Sequence, residues 1–348
     1  MKIIKAAQSK REGVDFNQLP FGTTFTDHMF VCDFVDGAWQ TPEIVPYGPL
    51  SMDPSSSVLH YGQAVFEGMK AYKDEQGQVW LFRPDENFRR INKSSVRLHI
   101  PEFPEAYFFD GLNALLKLDA EWIQKGMGNS LYVRPFVFAS TAGVQASPGG
   151  RYKFIIICAP VKSYYSGEVR VKIEDRYSRA APGGVGYAKA AGNYGAQFYP
   201  TSLAQKEGFQ QIIWTDASSH QYLEEAGTMN VFFRINDTLI TAPVNDSILD
   251  GVTRKSIIEV AKSKGLSVEI RPVEVAEIIK AHQAGTLKEI FGCGTAVVVS
   301  PISGFGYQGK NYPLETIENA YATTLKETLL GIQYNTQDDP YGWRYAVR

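Results

Sequence analysis

The chain has 348 residues, of which 44% are apolar and 21% charged, with a formal net charge of −2 and a pI near 6.3. That length exceeds one ordinary core and calls for two domains, and the composition is that of a folded globular protein. A near-neutral balance without a basic tail excludes nucleic acid and anionic membrane as partners, and the longest apolar run, Phe154 to Val161, is too short for a bilayer.

The opening MKIIKAAQSKREGVDF has basic residues but no apolar segment of a secretory signal. HMFVCDFVDGAW turns at Asp36-Gly37, a hairpin signal, and MKAYKDEQGQVWLF forms a second hairpin. Pro84 opens a helical pattern, PDENFRRINKSSVRLH, with Phe88, Ile91 and Val96 toward the core. AYFFDGLNALLKLDAEWIQKG is a longer amphipathic helix closed by Gly126. SLYVRPFVFAS and YKFIIICAP are strands. From Tyr164 the pattern loosens into AAPGGVG, which punctuates rather than packs. Strands QIIWTDA, NVFFRI and TLITAPV follow, then a helix from Val252 to about Lys264 closed by Gly265. VEVAEIIKAHQAG and LETIENAYATTLKETLLG supply the last helices.

The expected fold class is therefore α+β: two mixed α/β domains joined by a linker over a cleft. The expected divisions are residues 1–163, a linker at 164–182 and a second domain at 183–348, the larger of the two. Cys32, Cys158 and Cys293 form neither a paired framework nor a CxxC spacing, so a cytoplasmic location is expected. Cys32 and Cys158 sit in apolar runs and are expected core thiols.

Lys189 is the one charged residue between Arg179 and Lys206, and its neighbours Ala188, Ala190, Ala191 and Gly192 build no solvated face. A lysine desolvated among small residues loses its proton more readily, and a neutral amine suits Schiff-base chemistry with an aldehyde; a surface lysine on a loop is the bland alternative. LEEAGTMNVF places Glu224 and Glu225 before a small-residue turn and an apolar strand, where one carboxylate can pair with a buried cation. LDGVTRKSIIEVAKSKG runs Asp250-Gly251 into a helix whose first amides, at Val252 and Thr253, suit a phosphate. FGCGTAVVV sets a glycine-rich turn with Thr295 between two strands, a candidate anion nest. An aldehyde, a basic ring nitrogen and a phosphate are the three features of pyridoxal 5′-phosphate.

These stretches, together with FGTTFTDHMF, LHYGQAVFEGMKAY, LFRPDENFRRI, LYVRP and GGVGYAKAAGNYG, resemble the branched-chain amino-acid aminotransferases of the fold-type IV pyridoxal-phosphate family over nearly the whole length. The resemblance implies that Lys189 joins the cofactor aldehyde and shuttles the proton, that Glu225 pairs with the ring nitrogen, and that Tyr194 bonds the ring hydroxyl. It gives the phosphate to Arg90, the amides of Val252 and Thr253, and Thr295. Thr228 and the amide of Ala296 would face the substrate carboxylate, and Phe21, Tyr61, Phe66, Tyr132, Arg134 and Tyr164 would line the side-chain pocket. The loop Ala142–Val144 would reach the other subunit's site in a homodimer.

The implied reaction passes the amino group of leucine, isoleucine or valine to 2-oxoglutarate. Mammalian members carry a CxxC after the GTA turn, where this chain has Val297 and Ser300, so that thiol switch is expected to be absent. Ala190-Ala191 replaces other small or apolar pairs, which bears on fine substrate preference. A D-amino-acid aminotransferase or aminodeoxychorismate lyase of the same fold, and a non-enzymatic cofactor-binding protein, are the rival readings.

Overall fold

The computed structural model describes residues 1–162 and 168–348. The chain forms two compact units, Met1–Tyr164 with Ala188–Gly192 and Gly331–Arg348, and Tyr165–Tyr187 with Asn193–Leu330.

The first unit is built on β1 (Lys2–Ile3), β2 (His28–Val35), β3 (Ala38–Trp39), β4 (Glu43–Pro46), β5 (Ala64–Phe66), β6 (Met69–Lys73), β7 (Val79–Phe82), β8 (Ser130–Ala139) and β9 (Tyr152–Val161), with α1 (Ser57–Tyr61), α2 (Pro84–Arg97) and α3 (Glu105–Leu118). β2 and β3 turn at Asp36 and Gly37, both at positive φ (52° and 81°), as a two-residue hairpin requires. β8 and β9 pair antiparallel along their whole lengths. Leu131, Val133, Val137, Phe154, Ile156 and Cys158 of these strands are buried with Phe30, Ile91, Phe108, Leu112 and Leu115 in one core, so α2 and α3 cover the sheet.

Two helices differ from the sequence expectation. Val96 is 59% exposed, because the core stripe of α2 continues from Ile91 to Ser95 rather than to Val96. α3 stops at Leu118, well before Gly126. Asp119 is buried there, accepting from the backbone N–H of His28 and pairing with its Nδ1 (2.6 Å), and that inward turn ends the helix.

In the second unit, β10 (Arg170–Ile173), β11 (Gln211–Thr215), β12 (Leu223–Ala226), β13 (Met229–Ile235), β14 (Thr238–Thr241), β15 (Ser267–Ile270), β16 (Leu287–Gly294), β17 (Val298–Pro301), β18 (Gly304–Tyr307) and β19 (Lys310–Pro313) form a mixed sheet. The short turn α4 (Gly192–Gly195) leads to α5 (Phe198–Lys206), then come α6 (Val252–Ser263), α7 (Val275–Gln283) and α8 (Tyr321–Gln333). α8 starts at Tyr321 rather than near Leu314, its first amides received by the buried Glu289 carboxylate. The chain closes with β20 (Arg344–Ala346), which pairs with β7.

The observed division differs from the expected one. Residues 170–173, assigned to a linker by composition, form β10 between β11 and β18, with Val171 and Ile173 buried. Residues 188–192 join the first unit because Ala190 bridges Val65, and the C-terminus joins it through β20. The first unit is therefore the larger. Tyr164, and the start of the expected linker, lie outside the described residues. Among those described, no helix is long and apolar enough to cross a membrane, and no group of side chains is arranged to hold a metal.

Candidate active site

In the first unit the backbone around Lys189 is pinned at three points. Its N–H donates to the Ser94 hydroxyl (2.9 Å), its carbonyl accepts from Phe66 N–H (3.1 Å), and Ala191 N–H donates to the Ala64 carbonyl (3.0 Å). Ser94 lies on α2 and is fully buried, so the helix and the edge of β5 fix where the lysine emerges. The small residues at 188, 190 and 191 are what allow this approach. The side chain itself is half-buried rather than fully desolvated, with Nζ 4.9 Å from the centre of the Phe66 ring.

From that amine a continuous file of contacts runs outward. The Arg134 guanidinium lies 4.6 Å from the Phe66 ring, Arg134 donates to the Tyr132 hydroxyl (2.9 Å), and Phe21 meets Tyr132 edge-on at 5.0 Å. Tyr132 and Arg134 are two residues apart on β8 and share a face, and Phe66 pairs with Phe136 on the same strand. Five sequence candidates thus come together: Phe21, Phe66, Tyr132, Arg134 and Lys189. Tyr61 is 47% exposed, its hydroxyl bonded to the Val144 carbonyl, so it meets the 142–144 loop. That loop is itself fastened by Gly143 N–H to Ser55.

Arg90, read from the sequence as a phosphate ligand, is buried and gripped by Glu67: Nε to Oε1 at 2.6 Å and a terminal nitrogen to Oε2 at 2.8 Å. Although burial works against its charge, the Arg90 guanidinium holds the Glu67 carboxyl below the usual carboxylate range. Glu67 carried no expectation, because nothing in VFEGM reveals a partner 23 residues away on another element.

In the second unit the register of β12, β13 and β16 collects the other candidates. Glu225 stands opposite Asn230, and Asn230 opposite Cys293, so the β12–β13 turn with Thr228 and the Gly294-Thr295-Ala296 turn lie at one end of the sheet. The turn demands glycine at 227, where φ is +58° and a Cβ would sit 2.1 Å from Gln211 Oε1. Val298, a β-branched residue at φ +60°, closes the second turn in a conformation costing about 1–3 kcal/mol, a strain found where surrounding structure fixes a functional loop.

Glu225 is buried and its oxygens are received by donors that favour its charged form. Oε1 accepts from Asn230 Nδ2 (3.1 Å) and Leu249 N–H (2.8 Å), and Oε2 pairs with Arg179 at 3.0 Å. Arg179 also donates to the carbonyls of Gly186 and Ser247, tying the loop before Lys189 to the approach of α6. α6 starts at Gly251 with no side-chain cap, so its first amides are available to an anion. A Cβ on Gly251 would meet Asn230 Oδ1 at 1.9 Å; only glycine lets this N-terminus close on the Glu225 cluster. Arg254, buried one turn in with its Nε unpartnered among the described residues, adds positive charge. Tyr194 sits in α4 of this unit.

The neighbouring carboxyl behaves differently. Burial pushes Glu224 up to about 7, and its Oε2 finds no partner among the described residues. Of the two carboxylates, Glu225 is the one with donors on both oxygens. Arg179, Asn230 and Arg254 were missed by sequence reasoning, since a lone arginine or asparagine carries no spacing signal. All three cysteines are free and buried, and burial pushes the Cys293 thiol up.

The comparisons with known proteins give the class. The Amino-transferase class IV family matches residues 64–305. The chain is 44% identical to a probable branched-chain-amino-acid aminotransferase of Staphylococcus aureus over 99% of its own length and 98% of the relative's. It is 43% identical to branched-chain-amino-acid aminotransferase 2 of Bacillus subtilis, over 99% and 96%. The solved branched-chain aminotransferase of Thermobaculum terrenum, in its PLP form, shares the fold with a TM-score of 0.75 at 20% identity, covering 92% of this chain and 98% of that one. The chain belongs to the class IV aminotransferases, in the group of branched-chain-amino-acid aminotransferases. These relatives favour that reading over the D-amino-acid alternative.

Proposed function

We propose that this aminotransferase exchanges an amino group between leucine, isoleucine or valine and 2-oxoglutarate on pyridoxal 5′-phosphate, in a reversible ping-pong cycle. The carrying observation is the file from Lys189 through Phe66 and Arg134 to Tyr132 and Phe21, an apolar wall with one guanidinium in it beside a pinned amine.

The residues present fit the cofactor. The start of α6 and the Nε of Arg254, without a partner among the described residues, suit an anion, and Glu225, bonded by three donors, suits a protonated ring nitrogen. The amides of Val252 and Thr253, the Thr295 hydroxyl and Arg90 would hold its phosphate, Glu225 its ring nitrogen and Tyr194 its ring hydroxyl. When bound, the cofactor supplies the electron sink for bond cleavage at the substrate α-carbon and carries the amino group between the two half-reactions.

The chain's own work is to bind, orient and move a proton. Lys189 Nζ would take the proton from the substrate α-carbon and carry it for return, and its three-point backbone anchoring would keep that transfer short. Thr228 and the Ala296 amide hold the substrate carboxylate. Phe21, Phe66 and Tyr132, with Tyr61 and Tyr164, pack the branched alkyl group and exclude water. Arg134 receives the second carboxylate of glutamate. We assign the working form to a homodimer, in which the loop Ala142–Val144 completes the other copy's pocket, and its location to the cytoplasm, where three unpaired thiols stay reduced.

The test is the spectrum of purified protein. A visible cofactor band that leucine discharges and 2-oxoglutarate restores is the expected outcome. A colourless protein, or a band that no branched amino acid discharges, overturns the reading.

A further inference from the structure

We propose that Arg179 is a positioning residue for the reaction: its buried guanidinium pairs with Glu225 and so keeps the proton of the Glu225–cofactor hydrogen bond on the ring nitrogen. This rests on the cofactor reading above.

Arg179 follows β10, and its side chain is 5% exposed. One terminal nitrogen stands 3.0 Å from Glu225 Oε2 and also donates to the carbonyls of Ser247 and, at 3.5 Å, of Gly186. The segments carrying those carbonyls pack closely on each other. A Cβ on Gly186 would fall 2.7 Å from Ser247 Cα and 2.8 Å from the Asp246 carbonyl oxygen, which itself receives Tyr187 N–H at 2.9 Å. Gly183 N–H donates to the Asp246 carboxylate at 3.0 Å. The guanidinium is thus fixed by its surroundings, and Glu225 is held against it by Leu249 N–H and Asn230 on the other oxygen. Arg254 turns a terminal nitrogen to the Ala242 carbonyl at 2.8 Å, whereas that of Arg179 meets the carboxylate directly. Arg179 Nε is buried with no partner among the described residues. A guanidinium placed for packing alone would use that donor, because leaving it unmatched in the interior is costly. What the site gains from Arg179 is charge.

In a buried hydrogen bond between a carboxyl and a pyridine-type nitrogen the proton has two resting places. Burial favours the neutral arrangement, with the proton on the carboxyl. A cation 3.0 Å from the carboxylate favours the charged one, and it attracts that carboxylate more than it repels a ring cation one hydrogen bond further off. An opposite charge this close shifts the balance by about ten- to a thousandfold. Glu224, the neighbour on β12 whose Oε2 has no partner among the described residues, is pushed up by burial to about 7, which shows what this interior does to a carboxyl without such a contact.

The test loads the protein with cofactor isotopically labelled at the ring nitrogen and reads that nitrogen by NMR, whose signal separates a protonated ring from a neutral one. Wild type should give the protonated signal. Arg179→Gln keeps a donor for the neighbouring carbonyls and removes the charge, and should give the neutral signal. Arg179→Lys keeps the charge on a plain ammonium and should restore the protonated signal. If the Gln variant does not fold, the Lys variant decides: a protonated ring supports the proposal, and a neutral ring overturns it, because a role in shape alone is lost with the guanidinium. A neutral ring in wild type, or a protonated ring in a folded Gln variant, also overturns it. Wild-type protein that takes up no labelled cofactor overturns the cofactor reading itself, and this proposal with it.

Discussion

Arg134→Met separates the two substrates. The proposed pocket must take a branched alkyl group in one half-reaction and a carboxylate in the other, and aromatic walls cannot stabilise a desolvated negative charge. Among the described residues Arg134 is oriented without a carboxylate: it bonds the Tyr132 phenol at 2.9 Å, stacks 4.6 Å from Phe66 and 5.1 Å from Tyr132, and has a buried Nε without a partner. Its charge is thus held in place by soft contacts. A hydrogen bond to a charged group is worth about 1.5–3 kcal/mol, which at about 1.4 kcal/mol per decade is a ten- to hundredfold effect on glutamate. Methionine fills similar apolar volume, so leucine should lose little beyond the cation–π contribution to packing, about 0.5–2 kcal/mol of fold stability. Single-turnover conversion of the bound cofactor, with each amino acid alone, measures both. Equal losses on leucine and glutamate would refute the reasoning and make Arg134 a packing residue.

Lys189→Ala should retain cofactor through the phosphate contacts yet lose transamination by orders of magnitude; borohydride should fix cofactor covalently to wild type only, and labelling of the variant at another lysine would contradict the assignment. Glu225→Gln should lower turnover in a folded protein, because an amide cannot keep the ring nitrogen protonated. Glu224→Gln should instead alter stability against pH. Burial raises the folded carboxyl from its ordinary 4.5 to about 7, so the stability this group contributes is complete below about 4.5 and is lost as pH rises through 7, by about 3 kcal/mol. Melting temperatures should then show wild type falling behind the Gln variant across that window, and parallel curves would show that Glu224 does not titrate there.

What the sequence revealed were the features with local chemistry. Asp36-Gly37 is a hairpin because both residues must take positive φ, and Lys189 stands out because nothing near it is charged. The small-residue turns at 227 and 294 and the glycine before α6 mark backbone that must approach other groups closely. Contacts formed by distant elements were hidden. Val96 looked apolar and periodic yet lies off the α2 stripe, and α3 ends early because Asp119 turns in to meet His28, 91 residues away. β10 was taken for linker because a four-residue strand between two others has no periodicity of its own. The same blindness affected the site: Lys189 and the Glu224–Glu225 pair drew attention by their surroundings and Arg134 entered only through the family resemblance, whereas Glu67 and Arg179, which bind Arg90 and Glu225, gave no signal.

Those two anchors bear on why each unit buries a guanidinium against a carboxylate at all. Desolvating both charges costs several kcal/mol per ion, and the mutual attraction repays it only with full hydrogen bonding. The Glu67–Arg90 pair achieves this, with each carboxylate oxygen bonded and Asn87 adding a donor. If its purpose were stability, an apolar replacement would be damaging; if its purpose is to hold the Arg90 charge where a phosphate requires it, the fold should tolerate the loss. The double variant Glu67→Leu/Arg90→Met removes both charges and leaves neither ion alone, so its stability by chemical denaturation should equal that of wild type or exceed it by about 1–4 kcal/mol. Cofactor should meanwhile be lost on dilution, since Arg90 no longer serves its phosphate. A double variant destabilised by more than about 2 kcal/mol, in a protein that still retains cofactor, would reverse the conclusion and make the pair a device of the fold.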